Sequence, residues 1–424
     1  MPPAASAPLG DPGLTITRSN RAEHLAAVLG ATLKTAPNPD PIAPEVVLIG
    51  NKGMERWLSH HLAEDLGVCA NVQFLFPARV LDAELQWAQP PGAPPAGAAW
   101  QPDALAWTLA EALPGLLAEL PPALAAPLRG ALGPSALLDP AAPAIDRRAW
   151  ALCAELARVF DRVVAYRPEL AQAWSRGEGA STAAIPWQPL LWREVVRRVG
   201  SEHIAARLER ALPRWQRGEA VPHHRRLHLF GLSVLPPAWI AQLLAMARSL
   251  PIHLYLLAPS SAWWADLATR ARGRVGLRAL EGEDALLEAL GLDEGADGLH
   301  PLLRTLGRVP RDLQLLLADL DAAQDETLPV GLDPVEVMDT GDAFFGVPIQ
   351  GAAPTLLEQL QLDLLSAEHP GPARSSRPPV APTDLSVQVH ACHGLLRQVE
   401  VLYDALLHAL SDDPALEPRD VVVL

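Results

Sequence analysis

The 424-residue chain reads as an α/β protein: a parallel sheet interrupted by an all-helical insertion and followed by the start of a second α/β unit. Three observations predict this. Apolar runs of strand length alternate with helical periodicity, the pattern of a parallel sheet covered by helices. Strand signals fade between about 97 and 224 and resume at Leu227. A Pro/Gly/Ser-rich run near 369 then sets off a short final pattern of strand, helix and strand.

Glu45–Gly50 is the first strand and passes through a tight turn into a helix. Met54, Trp57, Leu58, His61, Leu62 and Leu66 recur at helical spacing, and Gly67 stands where a left-handed residue ends a helix, which assigns Trp57 to the core. In the helical region Trp150, Leu152, Cys153, Leu156, Val159, Phe160 and Val163 share an apolar face, with Arg158, Asp161 and Arg162 outside it. Leu227–Leu232 and Ile252–Leu257 return to strand character, and His369 to Pro379 reads as a linker. Ser386–Ala391, a helix over Leu395–Leu410 and Asp420–Leu424 open the second unit, and the uncovered last strand suggests a fragment. The resulting segmentation is 1–96 and 225–368 for the two parts of the sheet domain, 97–224 for the insertion, 369–384 for the linker and 385–424 for the truncated second domain.

Composition narrows the function classes. An apolar content of 49% over this length supports more than one core. The start has no signal-peptide layout and no apolar run of about 18 residues escapes charge or proline, so a soluble, cytoplasmic protein without membrane contact is expected. Cys69, Cys153 and Cys392 are too far apart in sequence for a disulfide framework or a C-x-x-C zinc site. The pairs His60-His61 and His223-His224 lack acidic or thiol partners at ligand spacing, so no metal is assigned to them. The net charge of −15 is unevenly spread: segment 147–226 holds 15 Arg against 8 acids, while the remainder holds 19 basic against 41 acidic residues. Such asymmetry suggests a local anion-binding face; the plainer reading is a solvated helical surface over a core containing Trp150, Trp174, Trp187, Trp192 and Trp215.

The sequence Val46-Val47-Leu48-Ile49-Gly50-Asn51-Lys52-Gly53-Met54-Glu55-Arg56 has the strand, turn and helix on which phosphate loops are built. Its chemistry differs. A working loop needs G-x-x-x-x-G-K-[S/T], so that backbone N–H groups cradle phosphates, the lysine reaches the terminal ones and a hydroxyl holds Mg²⁺. Here Lys52 precedes Gly53, and Met54 and Glu55 follow it, so ATP hydrolysis is not expected. A nuclease site of the D…E-x-K type also fails, because neither Lys34 nor Lys52 has Glu two residues before it.

The same segment, continued to Ala78, resembles the N-terminal region of the RecC family, the gamma subunits of exodeoxyribonuclease V. Further blocks agree in order: Ser19-Asn20-Arg21; Tyr166-Arg167-Pro168; Gly231-Leu232-Ser233-Val234-Leu235-Pro236-Pro237; Pro301-Leu302-Leu303; and His390-Ala391-Cys392-His393 with Arg397-Gln398-Val399-Glu400-Val401-Leu402, which departs at Gln398. The resemblance covers nearly the whole chain and implies a degenerate superfamily 1 helicase-like sheet domain. Motors of that layout also need a carboxylate pair at the end of a second strand. The matching strand Leu227–Ser233 ends without an acid.

The resemblance implies a non-catalytic DNA-binding subunit, partnered by RecB-like and RecD-like chains in a heterotrimer. Such a subunit contacts the duplex end and the exiting single strand and inspects the strand for a recombination hotspot. It implies no cofactor in this chain, with ATP and Mg held by the partners. Matched one at a time, the strand-inspecting positions are Gly50, Asn51, Lys52 and Arg56 in the loop, and Arg158, Val159, Asp161, Arg167 and His203 in the insertion. Gly50 lacks the polar side chain expected there and Arg158 replaces an expected acid, which favours strand binding over the family's own hotspot sequence. Three alternatives stay open: an ATPase-dead helicase-like scaffold of another end-resection complex, a protein-interaction scaffold without DNA contact, and an α/β transferase that holds a nucleotide at Gly50–Gly53.

Overall fold

A computed structural model describes residues 11–38, 40–93, 98–139, 144–178, 185–200, 202–261, 300–307, 310–311, 313–314, 316–317, 337–339, 342–349, 351, 353–367 and 380–423. The chain divides into two compact units, Met1–Phe345 and Gly346–Leu424.

The first unit is built on β1 (Gly13–Ser19), β2 (Glu45–Ile49), β3 (Val72–Leu75), β4 (Leu227–Phe230), β5 (Pro251–Leu257) and β6 (Val337–Asp339). All pairings are parallel, in the order β3-β2-β4-β5-β1-β6. Apart from Glu45 at the start of β2, and His228 and His253, which stack on each other, the central strands β2, β4 and β5 are apolar on both faces, as a sheet covered twice requires. Val47, Ile49, Phe230 and Tyr255 meet α1 (Ala22–Thr35) and α2 (Lys52–Leu66), while Val46, Leu48, Leu229 and Leu254 meet α3 (Pro77–Trp87), α9 (Ile204–Gln216) and α10 (Pro237–Ala247). The topology explains the split. Connections β1 to β2 and β2 to β3 run one way across the sheet, and β3 to β4 and β4 to β5 run the other. Right-handed crossovers then place their helices on opposite faces.

Between β3 and β4 the described residues form no strand. They include α4 (Pro102–Glu119), α5 (Pro122–Leu132), α6 (Arg147–Tyr166), α7 (Pro168–Ser175) and α8 (Trp187–Val199). These five helices have a core of their own, with Leu109, Leu113, Cys153, Phe160 and Trp192 fully buried. On α6 the buried side carries Cys153, Leu156 and Phe160, and Arg158, Asp161 and Arg162 are exposed. α9 bridges the two cores: Ala205 packs with the helices, and Leu208, Ala211 and Trp215 pack beneath the sheet.

Two expected strands are corrected. Ser386–Ala391 is irregular backbone, and Asp420 closes a 3-10 turn, Pro418–Asp420, followed by irregular 421–423. A strand persists only where its N–H and C=O groups meet a neighbour's, and no described residue of 346–424 lies in a strand. Within 346–424 the described residues form the helices Leu356–Ser366 and Leu395–Asp412 joined to irregular segments. The expected linker at 369–384 falls outside the described residues as far as 379, and the division between units comes earlier, after Phe345. Among the described residues no helix is long and apolar enough to cross a membrane.

Candidate nucleic-acid interface

Because every strand is parallel, the segments leaving them emerge on one edge. Where neighbouring strands send their chains to opposite faces, the carboxyl ends open a crevice. β2 and β4 are such a pair, and Gly50–Gly53 lies there. Ile49 ends β2 and Lys52 already begins α2, so only two residues separate strand from helix. That turn is too short to wrap a phosphate chain. The Asn51 backbone is extended, and its side-chain Oδ1 accepts from Met54 N–H at 2.9 Å, which caps the helix with the protein's own oxygen. A Cβ on Gly53 would stand 3.1 Å from that oxygen, so glycine gives the cap its room. After β4, Gly231 takes φ +62°, and a Cβ there would come within 3.3 Å of the Met54 methyl. Leu232 lies across from Gly50, where an added Cβ would be 3.7 Å from its Cδ2. Neither Leu232 nor Ser233 supplies an acid.

Lys52 is 70% exposed at its side chain and pairs with Glu55 at 2.5 Å. Its Nζ lies 5.8 Å from the ring centroid of Phe76, a residue 44% exposed at the end of β3. Arg56, one turn along α2, is exposed. Reading the sequence did not single out Phe76. Its only signal is an aromatic between a strand and Pro77, which opens α3.

The insertion residues form a second group. Arg158 and Arg162 both pair with Glu155, at 3.0 and 3.1 Å, on the exposed ridge of α6. Asp161 sits on the same ridge, where partial desolvation raises its carboxyl pKa against the lowering pull of Arg162. Val159 is half-buried, and Arg167 is exposed at the junction of α6 and α7. Among the described residues no hydrogen bond or ion pair joins the loop group to this ridge. Both adjoin the segment after β4: Leu232 faces Gly50, and α10 packs against α6.

His203 departs from its expected place at the strand-contacting surface. It is 3% exposed. Its Nδ1 accepts from Ala206 N–H at 3.2 Å, capping α9, which leaves Nε2–H to donate to Ser175 Oγ at 3.0 Å. That hydroxyl also accepts from Trp192 Nε1 at 2.9 Å and donates to the Ala171 carbonyl at 2.7 Å. Burial pushes the imidazole pKa down to about 4. The residue holds the helical core together and offers nothing to a ligand at the surface.

The arginine excess is mostly neutralised. Ten of the fifteen in 147–226 form ion pairs: Arg158, Arg162, Arg176, Arg197, Arg198, Arg207, Arg210, Arg214, Arg217 and Arg226. Arg207 reaches Asp82 on α3 and Arg226 reaches Glu45 on β2, so part of the excess ties the insertion and its exit to the sheet. Arg147, Arg148, Arg167, Arg193 and Arg225 have no carboxylate partner among the described residues. Of the five Trp, Trp174, Trp192 and Trp215 are buried and Trp150 and Trp187 are partly so, which makes them core. Among the described residues no group of three or more His, Cys, Asp or Glu could hold a metal ion.

The family model "RecC, N-terminal domain" matches residues 14–367. The RecBCD enzyme subunit RecC of Mycobacterium tuberculosis is 35% identical over 421 residues, covering 97% of this chain and 34% of that protein. Its counterpart in Mycolicibacterium smegmatis is 34% identical over 97% of this chain and 33% of its own length. That of Escherichia coli is 28% identical over 97% of this chain and 36% of its own length. The chain thus spans about a third of the length of these relatives.

Proposed function

The chain belongs to the RecC family, and from that premise we propose that it is the N-terminal part of a non-catalytic, DNA-binding subunit of a RecBCD-type helicase–nuclease. In this reading its sheet domain is a degenerate superfamily 1 helicase domain. RecB-like and RecD-like partners hold the ATP and Mg and perform helicase and exonuclease chemistry on double-strand ends for recombinational repair. This chain guides the unwound single strand past the loop and the α6 ridge, where hotspot inspection takes place.

One observation carries the proposal. At the crevice where a motor would bind nucleotide, the helix N-terminus is capped by Asn51, while Lys52 turns outward beside the exposed ring of Phe76. Exposed cation and aromatic together suit a single strand, whose phosphates meet the charge and whose bases stack on the ring. The expected result is no ATP turnover with or without single-stranded DNA. A rate in the usual enzyme range of about 1–1000 s⁻¹ that disappears in Lys52→Ala would overturn the reading.

Binding tests the two groups separately. Lys52→Ala is expected to weaken all single-stranded sequences about equally, because a phosphate contact carries no sequence information. Asp161→Ala is expected to alter sequence preference by ~1–3 kcal/mol, the size of a lost base contact. Equal losses across a panel of oligonucleotides for Asp161→Ala would leave it only a structural role on α6. A second reading, a protein scaffold without DNA contact, is favoured by the pairing of ten arginines. Absence of any oligonucleotide binding would decide for it.

A further inference from the structure

On the same edge as Lys52 and Phe76, a second exposed aromatic carries a cation. β1 is parallel to the rest, so Ser19-Asn20-Arg21 emerges at the rim where β2 and β3 end. The Asn20 amide donates to the Phe345 carbonyl at 2.8 Å, and its Oδ1 accepts from Phe345 N–H at 2.9 Å. Two residues earlier, on β1, Arg18 holds Asp342 at 2.8 Å. The backbone of Phe345 is thereby fixed while its ring stays 38% exposed. The Arg21 guanidinium lies 5.6 Å from the ring centroid, and Arg21 is itself exposed without a carboxylate partner among the described residues.

We propose that Arg21 and Phe345 form a second station for single-stranded DNA, a base stacking on the ring and an adjoining phosphate meeting the guanidinium. The proposal rests on the nucleic-acid reading of the Lys52 rim. β1 stands three strands from β2 in the sheet, which separates the stations by about 14 Å at the usual strand spacing. Asp342, three residues before Phe345, is engaged by Arg18, and Glu55 is engaged by Lys52. In this arrangement each cation meets a phosphate and each ring meets the face of a base, contacts that carry no sequence information. The second station therefore adds affinity and processive hold on the strand, and leaves sequence preference unchanged.

The two stations make binding depend on strand length. The test is fluorescence anisotropy of the 424-residue chain with oligonucleotides from a dinucleotide, too short to bridge the stations, up to roughly 16 nucleotides, comparing Arg21→Ala, Phe345→Leu and Lys52→Ala, with thermal melting to verify folding. Arg21→Ala and Phe345→Leu are expected to lose about five- to a hundred-fold in affinity for the long strands and little for the short ones. Lys52→Ala is expected to lose at every length. If Lys52→Ala weakens binding but the other two variants match the parent, or lose equally at all lengths, the second station is overturned and the Lys52 reading stands. If the parent chain binds no oligonucleotide, both are overturned.

Discussion

A single histidine shows how the role of one residue follows from its two ring nitrogens. With Nδ1 accepting from Ala206 and Nε2–H donating to Ser175, His203 is useful only when neutral. Protonation would place a hydrogen against the Ala206 N–H and a charge inside the helical core. Its folded pKa of about 4 lies below the ordinary value of about 6.5 for an unfolded chain. Between these values the unfolded state holds the proton and the folded state does not, so stability is complete above about pH 6.5 and is lost as pH falls toward 4. The loss from this residue is about 1.4 kcal/mol per pH unit. His253, pushed by burial to about 3, and the buried His228 act in the same direction. His203→Asn keeps a side-chain oxygen at the helix start but cannot titrate. Denaturant unfolding at a series of pH values is expected to show a shallower acid slope for this variant, less steep by one histidine's share. An unchanged slope would mean that His203 does not control the acid response.

At the scale of elements, the independent helical core makes its own prediction. Trp192 is fully buried among helices that contribute nothing to the two cores against the sheet, and its Nε1 donates to Ala171 and Ser175. Trp192→Ala removes a large side chain and leaves a hydroxyl short of a donor, a loss of about 3–5 kcal/mol. Calorimetry is expected to show the helical region melting first, with the sheet following in a separate, little-shifted transition. One undivided transition moved to lower temperature would show that α9, which crosses both cores, couples them fully. Which elements were legible in sequence follows from burial. β2, β4 and β5 are flanked on both sides and are apolar at nearly every position, so each run is plain to read. β1 alternates Leu14 and Ile16 with Thr15 and Thr17, and β3 is a half-buried four-residue edge strand, so neither makes such a run. Ser386–Ala391 has the apolar alternation of a strand but no partner strand among the described residues, a condition that sequence pattern does not report. The loop was legible because its residues are contiguous. Phe76 was not, because it meets Lys52 only through the pairing of β2 with β3. Nor was the burial of His203, since position-by-position resemblance carries no information on depth.

For the whole molecule, the question is how much of its uneven charge is available to an anion. Counting residues suggests fifteen cations in 147–226; the structure leaves five of them without a carboxylate partner among the described residues. The paired arginines differ in their reasons. Arg197 and Arg198 share Glu194, whose carboxyl is held down to about 2 mainly by its bond to Arg197, and exposed pairs of this kind contribute little and yield readily to salt. Arg207 and Arg226 are buried, and removing them from Asp82 and Glu45 would strand a charge, so they do not exchange a carboxylate for a phosphate. Each phosphate neutralised on a single strand contributes about −0.7 to the slope of log affinity against log salt. If only the five unpartnered arginines engage, their share of the slope reaches about −3.5, whereas full use of the segment would approach about −10. Titrating a single strand at several salt concentrations against the parent and against Arg147→Ala, Arg148→Ala, Arg167→Ala, Arg193→Ala and Arg225→Ala is expected to show the shallower value, falling by ~0.7 for each arginine that meets a phosphate. A slope near the larger value would require the surface ion pairs to open on binding, and the acids Glu155, Glu194 and Glu219 would then be the residues that set the affinity.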